Sequence, residues 1–194
     1  MYQKSMFLSF RKNLPFLKLK AMPKLLIPCV FGQWVGFASK VNNEGFLWLS
    51  LLLGITLTVL NLYYILLLND YADIHVDLIK KKDYKTAGIK FLSYIDVFSK
   101  EKTLYLGCCC GFFFFLISML AHVFLSFDYL IYLSLLSLLL LFLYSYYPFK
   151  LNYRGGGEIL EAFGVGIVIP WINAYLQSHE ILNINYVFFY LASV

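Results

Sequence analysis

The chain has 194 residues, 61% hydrophobic, 20% aromatic and only 14% charged, with a net charge of +5 and a mean hydropathy of +0.72. Soluble domains carry about 25% charged residues, so this composition excludes an ordinary soluble enzyme. The apolar excess falls in blocks near the ~20 residues that a membrane helix needs. The chain therefore reads as all-α: one multi-pass membrane domain over residues 1–194, with the lipid bilayer as its main partner.

Residues 1–24 mix apolar side chains with Lys4, Arg11, Lys12, Lys18, Lys20 and Lys24. They hold no clean apolar core and no small-residue cleavage site, so a secretory signal is not indicated. They read as a basic amphipathic segment lying on the membrane surface. The first apolar segment runs from Leu25 to Ser39 and is interrupted by Pro28 and Gln33. The second spans Phe46 to Leu68, the third Thr103 to Phe127 and the fourth Tyr129 to Tyr147. The fifth starts at Ile159 and reaches Leu182 at its widest, and a sixth begins at Tyr186, where the chain stops inside it. The expectation is five to six membrane helices.

Cys29 and the run Cys108, Cys109, Cys110 lie inside these segments without C-x-x-C spacing. They read as small apolar residues rather than metal ligands. His75, His122 and His179 have no ligand-like spacing either.

Basic residues test the segmentation. The N-terminal segment, the loop after the second segment and the loop after the fourth hold 15 of the 16 Lys and Arg residues; the exception is Lys40. The positive-inside rule places those loops, with the N-terminus, on the cytoplasmic side of a plasma or inner membrane. Their cations fit anionic lipid and do not require a nucleic acid.

The stretch NDYADIHVD, residues 69–77, closes the second apolar segment. If the helix continues through residue 77, Asp70, Asp73 and Asp77 fall within an arc of about 60°. Asn69 lies beside Asp73, one turn back. Carboxylates at a membrane mouth are costly and point to function. Three on one face repel one another unless a cation sits among them, and hard oxygen ligands suit Mg²⁺ with its substrate phosphates. A solvated helix end is the plain alternative, and for a single Asp it would suffice. Lys80, Lys81, Lys82 and Lys85 follow at once, either as a lipid-facing loop or as partners for a diphosphate, with Lys82 the nearest candidate.

The second constellation is YSYYPFKLNYRGGGE, residues 144–158. Pro148 ends a helix, and Tyr144, Tyr146 and Tyr147 form an interfacial belt. Lys150 and Arg154 are donors suited to phosphate oxygens. Gly155, Gly156 and Gly157 permit a tight turn before Glu158. On its own this stretch also fits an ordinary helix–helix turn.

Together the two stretches resemble the UbiA superfamily of intramembrane prenyltransferases. NDYADIHVD fits that family's N-D-x-x-D-x-x-x-D signature. The second stretch, continued by FGVGIVIPWINAYLQ, is similar to its Y-S-x-x-P-x-x-L-K-x-R-G-x-G-E region, most closely in the menaquinone branch that prenylates 1,4-dihydroxy-2-naphthoate. The first helix is a weaker match, with Met22-Pro23-Lys24 in place of an Arg-Pro pair. The resemblance implies nine membrane helices around a central cavity and Mg²⁺-dependent transfer of a polyprenyl group from its diphosphate to an aromatic acceptor. It implies that Asn69, Asp70, Asp73 and Asp77 hold the metal and that Lys82, Tyr146, Lys150 and Arg154 meet the diphosphate. The family's second acidic motif, D-x-x-x-D, is absent. The expectation is therefore an N-terminal portion, inactive alone, whose missing C-terminal part carries that motif.

Other acceptors in the superfamily are 4-hydroxybenzoate, homogentisate, haem, chlorophyllide and lipid. A transporter or membrane-assembly subunit is the reading from another class. Against it, the acids cluster at one mouth, and segments two to four carry no charge at mid-membrane. A CDP-alcohol phosphotransferase would also place acids at a helix end, but its D-G-x-x-A-R sequence is missing.

Overall fold

The computed structural model describes residues 22–40, 45–74, 76, 79 and 99–181. Among them all regular structure is helical: α1 (Met22–Ala38), α2 (Trp48–Ala72), α3 (Lys100–Leu125), α4 (Leu130–Ser145), the single turn α5 (Leu151–Arg154), α6 (Gly157–Phe163), a π-helical turn (Gly164–Val168) and α7 (Ile169–Ser178). The surface segment expected over 1–24 enters this description only at Met22–Lys24, where it is already helical. Asp77, Lys82 and the expected sixth segment lie outside the described residues.

Among the described residues, three helices are long and apolar enough to cross a membrane: α2 with 25 residues, α3 with 26, and the 22-residue rod Gly157–Ser178. The apolar α4 has 16 residues, about 24 Å at 1.5 Å per residue. α1 has 17 and runs unbroken through both Pro28 and Gln33. Outward-facing side chains are large and apolar: Trp48 on α2; Tyr105, Phe112 and Phe124 on α3; Tyr132 on α4. Apolar surface of this kind is stable against lipid rather than water.

Because lipid tails are as apolar as leucine, membrane helices associate by close packing and interhelical hydrogen bonds. The seam between α1 and α7 shows both devices. α1 lies on α7, where a Cβ on Gly32 would collide with the Pro170 carbonyl oxygen and one on Gly36 with that of Ala174. Only glycine permits this approach. Within the seam, Asn173 Oδ1 accepts from Gln33 Nε2 at 2.9 Å and from Cys29 Sγ at 3.2 Å. Asn173 Nδ2 donates to Ile169 O at 2.9 Å and to Thr58 Oγ1 at 3.3 Å. Cys29, read as a plain apolar residue, is thus also a donor. Gln177 clasps the start of α2 through both the N–H and the carbonyl of Leu47.

α2 packs on α3, with Gly107 and Gly111 against Leu68 and Tyr64. Leu57, Phe114, Leu130, Ile172 and Tyr175 fill the centre. Ser99 caps α3 by accepting from the Lys102 N–H. Ser134 Oγ donates to Ser118 Oγ at 2.7 Å between α4 and α3.

Candidate functional site

On α2, residues 61, 65, 69 and 73 recur every four positions, so they share one stripe. Three of them are polar: Asn61, Asn69 and Asp73. Asn61, Ile65 and Asn69 line a cleft of about 460 Å³ between α1, α2, α4 and the α6 rod, and Asp73 lies beyond its lining; the volume is within the range of small-molecule pockets. Leu62, Leu66, Leu140 and Val165 form its walls, while Lys24, Tyr144 and Glu161 stand at its mouth. Lys24 Nζ and Glu161 Oε1 are 4.0 Å apart across that mouth, their side chains 74% and 55% exposed.

Asn69 and Asp73 sit where α2 ends. α2 stops at Ala72, and Asp73 is its C-cap, with its N–H on Asn69 O at 2.9 Å. The regular helix assumed for the arc of three aspartates is therefore interrupted at Asp73. Asn69 Nδ2 donates to Asp73 Oδ2 at 3.3 Å, and Asn69 Oδ1 accepts from Ser145 Oγ at 2.8 Å. This orientation of the amide satisfies both partners. Tyr153 Oη donates to Asp73 Oδ1 at 2.5 Å. Tyr146 stands past the last residue of α4, and its Oη donates to Leu68 O at 3.0 Å. Burial pushes the Tyr146 phenol well above its ordinary value, with Tyr64 adding to the effect, so the hydroxyl stays protonated and remains a donor.

Three of these bonds tie the end of α2 to residues 145–153, and so join the two sequence stretches at one end of the bundle. Local geometry carries them there. α4 ends at Ser145; Lys150 (φ 42°) and Gly155 (φ 91°) take left-handed backbone on either side of α5. That turn brings Tyr153 back to Asp73. Lys150 and Arg154 are exposed beside it. Asp70 is buried at 7% exposure and lies outside the cleft lining.

Among the described residues, no group of three His, Cys, Asp or Glu side chains is placed to hold a metal ion. The aspartate pair Asp70 and Asp73, with the Asn69 amide beside Asp73, still offers hard oxygen donors. Mg²⁺ commonly takes one or two carboxylates and completes its shell with water and substrate phosphates, so the donor chemistry fits.

The chain matches no protein-family model, no curated protein and no solved structure.

Tyr153, Ser145, Lys24, Glu161, Asn61 and Ser137 belong to this region, although the sequence alone does not single them out for it. Part of the signal is present there. Ser137, Leu141 and Ser145 repeat every four residues on a helix otherwise built from Leu, Ile, Phe and Tyr with one further serine, Ser134. Asn61 precedes Asn69 by eight.

Proposed function

We propose that this chain forms the diphosphate-binding part of an intramembrane prenyltransferase, which moves a polyprenyl group from its diphosphate to an aromatic acceptor of the 1,4-dihydroxy-2-naphthoate type. One observation carries this reading: Asn69 and Asp73 are tied to Ser145 and Tyr153 at the end of an apolar cleft, so acidic and phenolic groups converge where an apolar tail can enter. In this reading Asn69, Asp70, Asp73 and Asp77 hold Mg²⁺, which when bound neutralises the diphosphate. Tyr153 and Asn69 fix the rotamer of Asp73, as partners of metal ligands commonly do. Lys82, Lys150 and Arg154 offer donors to phosphate oxygens, while Tyr146 anchors the end of α4 to α2.

The allylic C–O bond breaks with its electron pair leaving on the diphosphate. The acceptor ring carbon then attacks the allylic cation, and the proton it loses passes to the released diphosphate. Developing charge on the leaving group is what preorganised donors stabilise. The walls of Leu62, Leu66, Leu140 and Val165 exclude water, which would otherwise quench the cation. Five to six membrane spans, with the Asp73 end cytoplasmic, complete the proposal; the basic loops support that orientation.

The test is ligand discrimination by the chain in lipid nanodiscs. Geranylgeranyl diphosphate is expected to bind only with Mg²⁺ present, at least about 100-fold more tightly than geranylgeraniol (a gap of about 2.7 kcal/mol). Equal binding of the alcohol, or binding indifferent to Mg²⁺, would overturn the assignment.

A further inference from the structure

The rod Gly157–Ser178 changes character at its π-helical turn. Beyond the turn, every residue of α7 except Trp171 and Ser178 is buried, and Gly32 and Gly36 bring α1 hard against Pro170 and Ala174. Before the turn, Gly157 is the one buried residue of α6. α6 packs chiefly on α5 and α4. A Cβ on Gly157 would come within 2.8 Å of Asn152 Cα, so α5 and α6 are seated on each other as one unit, residues 151–163.

Both ends of this unit have the form of joints. At one end Lys150 holds left-handed backbone (φ 42°), which few residues with a side chain adopt. At the other, the Ile169 N–H reaches five residues back to Gly164 O, the widened turn that marks helix kinks and functional sites. Pro170 has no N–H to give that turn. A Cβ on Gly166 would meet nothing within 4 Å, so nothing packs against the turn at that residue.

The unit lies across the Asp73 end of the cleft. Leu160 and Glu161 belong to the cleft lining, and Tyr153 bonds to Asp73. Toward α1, Lys24 Nζ stands 4.0 Å from Glu161 Oε1, with both side chains exposed. An ion pair this open is weak, as suits a contact that is made and broken repeatedly. A rigid piece between a few element-terminal residues that absorb the turn is the ordinary form of a hinged closure.

We propose that residues 151–163 form a hinged flap over that end of the cleft, turning about Lys150 and the π-helical turn, with Lys24 and Glu161 as its latch. Opening widens the gap between α1 and α6 and admits the occupant of the cleft. Closing brings Glu161 back to Lys24 and encloses it. Naming that occupant a polyprenyl diphosphate rests on the function proposed above; the flap itself is tested without any ligand.

Spin labels carried on noncanonical amino acids at Ile27 and Ile159, both exposed, leave the four cysteines in place. Their separation is measured by pulsed electron paramagnetic resonance with the full chain in nanodiscs. Two populations are expected, a short closed one and a longer open one. Glu161→Gln is expected to raise the open-to-closed ratio about threefold, in line with an exposed ion pair. The swapped pair, Lys24→Glu with Glu161→Lys, is expected to bring the ratio back. Gly166→Ala, which has room for its methyl group and stiffens the turn, is expected to lower the ratio about threefold. A single distance in the unmodified chain would overturn the proposal. So would a ratio that either Glu161→Gln or Gly166→Ala leaves unchanged, or a swapped pair that behaves like Glu161→Gln. Mg²⁺-dependent diphosphate binding by a chain with one distance removes the flap alone. Two distances that answer to the variants, without diphosphate binding, keep the flap and remove the prenyl-transfer reading.

Discussion

The seam between α1 and α7 and the cleft beside α2 are both built from amides and small groups inside an apolar bundle, yet they differ in how those groups are used. In the seam, Asn173 fills four hydrogen bonds and Gln177 fills two. Gly32 and Gly36 bring the backbones into contact around them. In the cleft, Asn61 fills one end of its amide, and Lys24 and Glu161 face each other at 4.0 Å across an open mouth. Polar groups in the seam hold helices together, whereas those that line the cleft border a space large enough for a ligand. Polar composition alone does not separate the two roles. Position beside an open cavity does, since Gln33 Oε1 in the seam also lacks a partner among the described residues.

That contrast predicts a graded series of effects. The largest belongs to the seam. Asn173→Leu strips partners from Cys29, Gln33 and Thr58 and is expected to cost about 2–4 kcal/mol of stability, read as a lower thermal midpoint in detergent. Protein that remains folded should keep its diphosphate binding; losing binding at full stability would erase the distinction between seam and cleft.

At the cleft the order reverses. Tyr153→Phe removes the hydroxyl that holds Asp73, so Mg²⁺-dependent affinity for geranylgeranyl diphosphate should fall about tenfold, with little change in the thermal midpoint. A stability loss with unchanged affinity would move Tyr153 to the structural side of the comparison.

The smallest effect concerns Tyr146. Its phenol titrates above the ordinary value of 10 because of burial. A folded-state value raised above the unfolded one gives stabilisation that is complete below about pH 10 and is lost as pH rises beyond it. Tyr146→Phe should remove that alkaline step and cost under about 1 kcal/mol at neutral pH through the lost bond to Leu68 O. An identical alkaline profile in the variant would contradict the burial.

The sequence made the helical class legible because lipid imposes a long apolar run on each spanning element. Segment positions follow within a few residues: Phe46 to Leu68 against Trp48–Ala72, and Thr103 to Phe127 against Lys100–Leu125. The first segment differs for a physical reason. Pro28 and Gln33 look like breaks in an apolar run, but Gln33 is buried against Asn173 and Ser50 and stabilises the packing it seems to interrupt. The joining of residues 69–73 with 144–154 was legible as a shared membrane face, through the distribution of basic residues. Their actual contacts were not, because Tyr153 reaches Asp73 only through the left-handed turn at Lys150 and Gly155. Asn61 was hidden for a related reason. A lone amide in an apolar helix gives no hint whether its second end is filled.

The prenyl-transfer reading rests on Asp73, held by Asn69 and Tyr153, serving a metal-bound diphosphate. The most direct measurement compares the unmodified chain with Asp73→Asn in nanodiscs, titrating geranylgeranyl diphosphate with Mg²⁺ and with EDTA. The substitution is expected to lower affinity about 100-fold in Mg²⁺, to leave the EDTA value unchanged and to leave membrane insertion intact. Equal affinities in Mg²⁺, or a variant that no longer inserts, would make the aspartate a structural cap and contradict its role at the diphosphate.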